Sequence, residues 1–269
     1  MWWNLTVRRH SLGAVAAGIF FGAAGCSGGG DLLGRGDKPA AGGSRVVQGG
    51  SQQVGNATVV TYATIGANNV VEQVGATVPM SVIQNPPASG SGPAGAFVVL
   101  PYPAEVKSTT FFDHFEMHWN PHGHDPKGVY EHPHFDFHFF GVPVQEVWQI
   151  TEPDHTILAP ERIPANYVYP GAEQTVLEMG THALPAADLE PGAAFTVSMI
   201  VGYCQGELTM VEPMITQAWL LQKQSRTMEV PRPAVLGRAT RYPTRVSITY
   251  NRASDAYEFV FSDFVTVTR

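Results

Sequence analysis

Two short segments alternate strictly between aromatic and ionisable side chains, and this period of two constrains the fold more than any other feature. In the segment 134–140, histidine and aspartate alternate with phenylalanine. In the segment 111–119, histidine and glutamate occupy one set of alternate positions, while the other set is largely aromatic. Successive side chains of a β-strand point to opposite faces of its sheet. The pattern therefore predicts two strands, each with an aromatic face and a histidine/carboxylate face.

The rest of the chain contains short β-branched and aromatic runs separated by many of its 28 glycines and 21 prolines. This punctuation is typical of strands joined by turns. Strands are predicted at 58–65, 70–83, 97–100, 111–119, 134–140, 144–150, 195–203, 207–212, 245–250 and 257–268, and a helix at 215–224. The predicted fold is mainly β, a single antiparallel β-sandwich or barrel-like domain with few short helices.

The first 25 residues have the pattern of a signal peptide. Arg8 and Arg9 precede an uncharged apolar run at 12–24, which is too short to cross a bilayer comfortably. Small residues then lead to Cys26, as in a bacterial lipobox, although Ala23 stands where that motif has a branched aliphatic residue. We therefore predict a signal peptide at 1–25 and lipidation of Cys26. Cleavage near Gly25 without lipidation and a retained membrane helix are the alternatives.

The segment 26–50 is rich in glycine and serine, and such a composition predicts a flexible tether. A β-rich metal-binding domain is predicted at 51–269. Together these features predict an exported protein in the periplasm or on the outer cell surface, anchored to the membrane through Cys26. The net charge of −7 argues against nucleic acid as a partner.

Eight of the ten histidines lie between His114 and His155, and they share strand faces with carboxylates. Imidazole and carboxylate together suit divalent transition metals, with zinc as the foremost candidate. A solvated sheet face, a pH-sensing surface and a set of buried, hydrogen-bonded histidines are the alternatives.

Strand geometry limits which of these residues can bind the same ion. Residues four apart on a strand are separated by about 13 Å and residues two apart by about 6.6 Å, whereas bonds to zinc are only ~2.0–2.2 Å long. His134 and His138 therefore cannot share an ion on a regular strand, but Asp136 can share one with either. The predicted metal ligands are His124, His134, His138 and His182, and the predicted catalytic carboxylates are Asp136 and Glu212.

The two most distant candidates have simple structural alternatives. His182 is predicted to lie in a loop before Pro185. An ordinary exposed histidine that binds no metal accounts for this position almost as well as a metal ligand does. Glu212 is predicted to end a strand just before the helix at 215–224, where it could act only as a charge at the helix N-terminus.

The motifs WNPHGH at 119–124 and PHFDFHFF at 133–140 resemble those of a family of exported, histidine-rich bacterial β proteins of unassigned function. One member, from Thermus, is controlled by an extracytoplasmic-function sigma factor. Shorter matches at 54–59, 179–182 and 212–216 extend the resemblance over most of 54–222. The resemblance implies one β domain, export and self-association into a homo-oligomer. It directs attention to five positions, namely His124, His134, Asp136, His138 and His182.

These observations lead to a main hypothesis and two alternatives. The main hypothesis is an exported, membrane-tethered protein with a zinc site that acts on a small molecule in a hydrolytic or lyase-type reaction, with Asp136 or Glu212 as base. The first alternative is a non-catalytic protein of the cell envelope that serves in stress response, metal buffering or ligand binding. The second is a histidine-based pH sensor. Three protein ligands with an open position would favour catalysis, and four would favour the non-catalytic protein.

Overall fold

The computed structural model describes residues 43–268. The predicted signal peptide, Cys26 and most of the predicted tether lie outside the described residues. In the described part, two antiparallel sheets form a single mainly β domain, which confirms the predicted fold class. Within residues 43–268, no helix is both long enough and apolar enough to span a membrane.

The first sheet has the strand order β1-β2-β3-β15-β14-β12. Its strands are β1 (Arg45–Val54), β2 (Ala57–Ile65), β3 (Val71–Pro79), β12 (Arg226–Glu229), β14 (Arg245–Asn251) and β15 (Ala256–Ser262). A separate two-stranded pair joins β13 (Thr240–Tyr242) to β16 (Val265–Val267).

The second sheet has the order β4-β5-β6-β11-β10-β9-β7, with β8 also paired to β9. Its strands are β4 (Val98–Pro101), β5 (His114–Asn120), β6 (His134–Phe140), β7 (Tyr167–Val168), β8 (Thr175–Val176), β9 (Gly180–Pro185), β10 (Val197–Cys204) and β11 (Glu207–Thr216). The helices are α1 (Met80–Gln84), α2 (Ala104–Thr109), α3 (Val144–Val147) and α4 (Gln217–Leu221), with 3-10 turns at Pro93–Gly95, Pro160–Arg162, Ala172–Gln174 and Ala186–Leu189.

The aromatic faces of β5 and β6 pack against the first sheet. The rings of Phe137 and Phe259 lie 4.3 Å apart between centroids, and those of Phe139 and Phe261 lie 4.6 Å apart. These residues belong to one large buried cluster that draws on both sheets. Burial of this aromatic surface removes it from water, and the other face of β5 and β6 is thereby directed away from the main core.

Several predicted boundaries are wrong for identifiable reasons. The predicted strand at 144–150 is helix α3, because Pro143 fixes the entry and Val144 and Val147 recur at helical spacing. The predicted strand at 70–83 ends at Pro79 and continues as α1. The predicted strand at 257–268 is split into β15 and β16, and Asp263 between them has a φ of 55°.

The first strand begins at Arg45, within the segment predicted as tether and six residues before the predicted start of the domain. β1 pairs with β2 and has a register shift between Gln48 and Ser51. A Cβ atom at Gly49 would lie 2.5 Å from the Thr61 hydroxyl oxygen, so the backbone approaches its neighbours more closely than other residues allow. Gly49 and Gly50 thus serve close packing in a strand, and composition alone does not distinguish that use from a linker.

Candidate metal centre

The two alternating segments are antiparallel neighbours, β5 and β6. Glu116 lies opposite His138, and His118 lies opposite Asp136. Because directly opposed residues in an antiparallel pair point to the same face, the histidines and carboxylates of both strands gather on one surface.

That surface is buried, so the interpretation as a solvated sheet face is wrong. His134, His138 and Glu116 are 0% exposed. Two small apolar clusters help to cover this face, and they consist of Tyr130, Leu184, Ile200 and Met214 on one side and Phe140, Val142, Val147 and Met210 on the other. Ionisable groups that are buried in this way need a partner charge, hydrogen bonds or a metal ion to offset the loss of water.

Glu212 lies in the middle of β11 and points to this surface, so the prediction that it ends a strand is wrong. The strand continues through Pro213 to Thr216, whose hydroxyl oxygen accepts a hydrogen bond from the Trp219 backbone N–H and so caps the short helix α4. Val211 pairs with Phe139 and Met214 with Asp136, and the same register sets Glu212 opposite His138. Proline cannot donate to the ladder, and the pairing of β11 with β6 is interrupted at Glu212 and Pro213.

His182 lies in β9, so the predicted loop position is wrong. It stands opposite Gly202 of β10, the strand that separates β9 from β11. Gly202 has no side chain, and a Cβ atom there would lie 2.6 Å from the terminal methyl of Met210. The Met210 side chain occupies the space over Gly202, and the His182 imidazole reaches Glu212 on the strand beyond β10, with its Nε2 atom 3.5 Å from Oε2.

The first set of ligand-type residues comprises His138, His182 and Glu212, and we call it the strand group. Its members come from β6, β9 and β11, and one ligand atom from each lies within 4.8 Å of the others. The Nε2 atom of His138 lies 3.4 Å from Glu212 Oε1, and that of His182 lies 3.5 Å from Glu212 Oε2. Atoms ~2.1 Å from a tetrahedral zinc ion are about 3.4 Å apart, so these separations match a shared ion.

The strand group is short of hydrogen bonds. Within residues 43–268, neither ring nitrogen of His138 has a hydrogen-bond partner, and the same holds for Glu212 Oε2. His138 Nε2 and Glu212 Oε1 are close, but their orientation does not make a hydrogen bond. Buried polar atoms are almost always paired, and unpaired ones cost roughly 1–3 kcal/mol each. A bound cation is the partner that would satisfy these atoms together.

The charge of Glu212 attracts a positive charge to the strand group, either a proton on His138 or a metal ion. Burial alone would lower the pKa of His138, but the neighbouring charge of Glu212 outweighs it and raises that pKa. Burial lowers the pKa of His182, and the nearby His138 lowers it further, so that His182 favours the neutral form that coordinates metals.

The second set comprises His124, His134 and Asp136, and we call it the loop group because His124 lies in the connection between β5 and β6. Its ligand atoms also lie within 4.8 Å of one another. His134 Nε2 is 3.1 Å from Asp136 Oδ1, and His124 Nε2 is 3.7 Å from Asp136 Oδ2. Asn120 donates a hydrogen bond of 2.6 Å to Asp136 Oδ2. Burial opposes ionisation of Asp136, but the two histidines hold its pKa well below the usual range.

The third set, His114, Glu116 and His118, lies on β5, and we call it the β5 group. Glu116 and His118 also fall within reach of His138, which stands between this group and the strand group. Both carboxylate oxygens of Glu116 have partners, with His114 Nε2 at 3.1 Å and His118 Nε2 at 3.4 Å. Burial would raise the pKa of Glu116, but these two hydrogen bonds lower it. Both oxygens of the Glu116 carboxylate are therefore satisfied by protein atoms, while His114 Nδ1 has no hydrogen-bond partner in the described residues.

A cavity of about 830 Å³ opens onto the strand group and the loop group. Glu212, His182, Asp136 and His124 all contribute to its wall, whereas His114, Glu116 and His118 do not. Much of the remaining wall is apolar, and it includes Tyr130, Leu184, Ile200 and Met214. The volume is in the range of small-molecule sites.

The residues selected from the sequence are thus divided by the structure. His124, His134 and Asp136 come together in one group, and His138, His182 and Glu212 in another. His134 and His138 fall in different groups, as strand spacing requires. Neither the hydrogen bond from Asn120, which belongs to the motif WNPHGH, nor the position of Gly202 opposite His182 follows from the alternation of residue types. No family model, no curated protein and no solved structure matches this chain.

Proposed function

We propose that this chain is an exported, lipid-anchored protein that binds a zinc ion at the strand group and uses it in a hydrolytic or lyase-type reaction on a small molecule. Export and lipidation of Cys26 rest on the N-terminal sequence, and membership of the histidine-rich family rests on the motifs around WNPHGH and PHFDFHFF. The buried histidine/carboxylate groups, which could hold a divalent metal ion, support the metal-binding part of the proposal.

One observation carries the proposal. Three ligand-type side chains converge from three strands, and two of the three line a cavity. Both ring nitrogens of His138 and the Oε2 atom of Glu212 are buried without a hydrogen-bond partner within residues 43–268. Zinc sites with three protein ligands and an accessible fourth position are typical of catalysis, whereas closed sites with four protein ligands are typically structural. When bound, zinc supplies a Lewis acid that polarises a substrate oxygen and lowers the pKa of water.

The chain's own residues have separable tasks in this proposal. His138 and Glu212 are buried on adjacent strands and fix the position of the ion. His182 is 14% exposed and lies toward the cavity, where its strand holds the ring at the opening. The apolar wall around Ile200 and Met214 excludes water from the body of a bound substrate. Glu212 is therefore a ligand in this proposal and not the general base predicted from the sequence.

Zinc binding is tested by titration of the metal-free protein in competition with a chromophoric chelator. We expect one zinc ion at the strand group, with binding there abolished in Glu212→Gln and in His182→Ala. His122→Ala is the matched control, because His122 is an exposed histidine that belongs to none of the three groups. Zinc binding of the same strength in Glu212→Gln, His182→Ala and the wild type would overturn the assignment.

Catalysis is distinguished from metal buffering by cobalt substitution. If the fourth position is open, azide added to the Co²⁺ protein will change its visible spectrum. A spectrum that does not respond to azide would favour the non-catalytic alternative, with four protein ligands around the ion. The pH-sensor alternative gains little from His124. Burial would lower the pKa of this residue, but Asp136 raises it to about 9, above the range of pH 5–8 in which such sensors respond.

A further inference from the structure

The loop group has a feature that the strand group lacks, namely two histidines whose proton positions are set by the backbone. His134 Nδ1 lies 2.7 Å from the carbonyl oxygen of His132. His124 Nδ1 lies 2.7 Å from the carbonyl oxygen of Asp125. A carbonyl oxygen can only accept a hydrogen bond, so each Nδ1 carries a hydrogen and donates it. In the neutral rings, both Nε2 atoms are then left with lone pairs.

These lone pairs face a carboxylate. His134 Nε2 approaches Asp136 Oδ1 to 3.1 Å, and His124 Nε2 approaches Asp136 Oδ2 to 3.7 Å. Asp136 is 3% exposed, and its Oδ1 atom makes no hydrogen bond within the part of the chain that the structure describes. When both rings are neutral, the two imidazole nitrogens and the carboxylate are all acceptors that converge on one point, and a cation between them would resolve the repulsion. Burial would lower the pKa of His124, but Asp136 raises it to about 9, so a proton is the other occupant that this position attracts.

The surroundings have the form of an outer shell of a metal site. Histidines that bind metals usually donate the other ring N–H to a carbonyl or carboxylate, which fixes the ring and the tautomer. Both histidines of the loop group do so. Asn120 donates to Asp136 Oδ2 at 2.6 Å, and this bond orients the carboxylate as outer partners of ligands do.

We propose that the loop group binds a second divalent ion of the zinc type, separate from the ion at the strand group and facing the same cavity. Asp136 and His138 are two residues apart on β6, a separation of about 6.6 Å along a strand. Ions that share a bridging ligand lie about 3.5–4 Å apart, so two unbridged ions are expected. Asp136 then acts as a ligand and not as the general base predicted from the sequence.

The competing occupant is the proton. If both Nε2 atoms of the loop group carried hydrogens, two imidazolium ions would flank Asp136 and no metal would be needed. The two occupants differ in a countable quantity, the number of zinc ions bound per chain. The proposal does not depend on the strand group, because the two groups share no ligand.

The test is zinc stoichiometry by elemental analysis after gel filtration of the full mature chain. We expect two ions per chain in the wild type and in His122→Ala, and one in His124→Ala, Asp136→Asn and His182→Ala. The double variant His124→Ala, His182→Ala should bind none. His124 is exposed and Asp136→Asn is isosteric, so at least one variant is expected to fold, which circular dichroism checks.

The possible outcomes distinguish the strand group from the loop group as the zinc site. One ion that is lost in His182→Ala and kept in both His124→Ala and Asp136→Asn would overturn the second site and leave the proposed function intact. One ion that is lost in His124→Ala and kept in His182→Ala would do the reverse. One ion that is lost in His124→Ala, in Asp136→Asn and in His182→Ala would show a single shared site and would contradict two separate ions. Absence of zinc from the folded wild type would overturn both.

Discussion

The two ends of the buried histidine surface contain the same residue types but differ in how their buried carboxylates are hydrogen-bonded. In the β5 group, each oxygen of Glu116 is hydrogen-bonded to a histidine, at 3.1 Å and 3.4 Å. On the cavity side, within residues 43–268, Asp136 Oδ1, Glu212 Oε2 and both nitrogens of His138 have no hydrogen-bond partner. In the first arrangement both carboxylate oxygens have protein partners, and His114 Nδ1, 3.4 Å from Asp113 Oδ1, is the atom without a hydrogen bond in the described residues. In the second, carboxylate oxygens are unpaired as well, and a cation could satisfy them together with the imidazole nitrogens.

Hydrogen bonding thus distinguishes the histidines paired with Glu116 from those proposed as metal ligands, a distinction that residue type and spacing do not provide. Both ends share the alternation of β5 and β6, and both are withdrawn from water. What distinguishes them is the balance of donors and acceptors and the access to the cavity, which Glu212 and Asp136 line and Glu116 does not. A protein pays for unpaired buried groups in stability, and such a cost is common where a ligand binds.

The largest expected effect separates the two ends by stability. Glu116→Gln removes the charge that pairs with two buried histidines, and loss of one partner of a buried ion pair costs about 3–5 kcal/mol. Glu212→Gln in the metal-free protein should cost much less, because it removes a carboxylate whose Oε2 atom lacks a partner in the described residues. Urea unfolding of both variants without metal measures this. An equal loss of stability in the two would contradict the comparison.

Zinc should narrow the difference in stability between these two variants. A ligand at one hundred times its Kd stabilises the folded state by about 2.7 kcal/mol. We expect zinc to raise the melting temperature of the wild type and of Glu116→Gln, and to raise it less in Glu212→Gln, which loses a ligand of the strand group. Calorimetry with zinc and with chelator gives the two shifts. If zinc stabilised Glu212→Gln as much as the wild type, Glu212 would not be a ligand.

Acid should weaken binding at the cavity side. Burial alone would lower the pKa of His138, but the charge of Glu212 raises it above its ordinary value, and only the neutral ring binds metal. As the pH falls below that raised pKa, a proton competes for His138 and zinc affinity at the strand group should fall about tenfold per pH unit, or about 1.4 kcal/mol. Chelator competition at pH 6, 7 and 8 tests the slope. Affinity that does not change with pH would exclude His138 as a ligand.

The smallest expected effect sharpens the assignment of the loop group. Asn120→Ala removes the hydrogen bond to Asp136 Oδ2 and the 3.5 Å contact with His134 Nε2, and it leaves all six proposed ligands in place. Loss of an outer partner typically weakens metal binding by about 10–100-fold, and we expect the lower end because Asn120 is partly exposed. The weakening should appear in the second zinc ion alone. Equal weakening of both ions would show that Asn120 acts on the whole surface.

The sequence predicts which strand faces form this site, but not how its residues divide into the strand group, the loop group and the β5 group. The alternation in 134–140 is local, so it identifies β6 and its two faces, whereas the pairing with β5 is seen only in the structure. His138 lies near Glu212 and His182 because the strand order is β6-β11-β10-β9. The alternation of residue types within one strand does not predict that order. Pro213 suggested the end of a strand, and only the sheet shows that it marks a gap in pairing instead.

The most direct test of the central claim is a crystal structure of the zinc-loaded protein, with anomalous data collected on both sides of the zinc absorption edge. The account predicts an anomalous peak about 2.0–2.2 Å from His138 Nε2, His182 Nε2 and a carboxylate oxygen of Glu212, with its open side toward the cavity. A peak held by Glu116 and His118, or no peak at the strand group in crystals soaked with millimolar zinc, would contradict it.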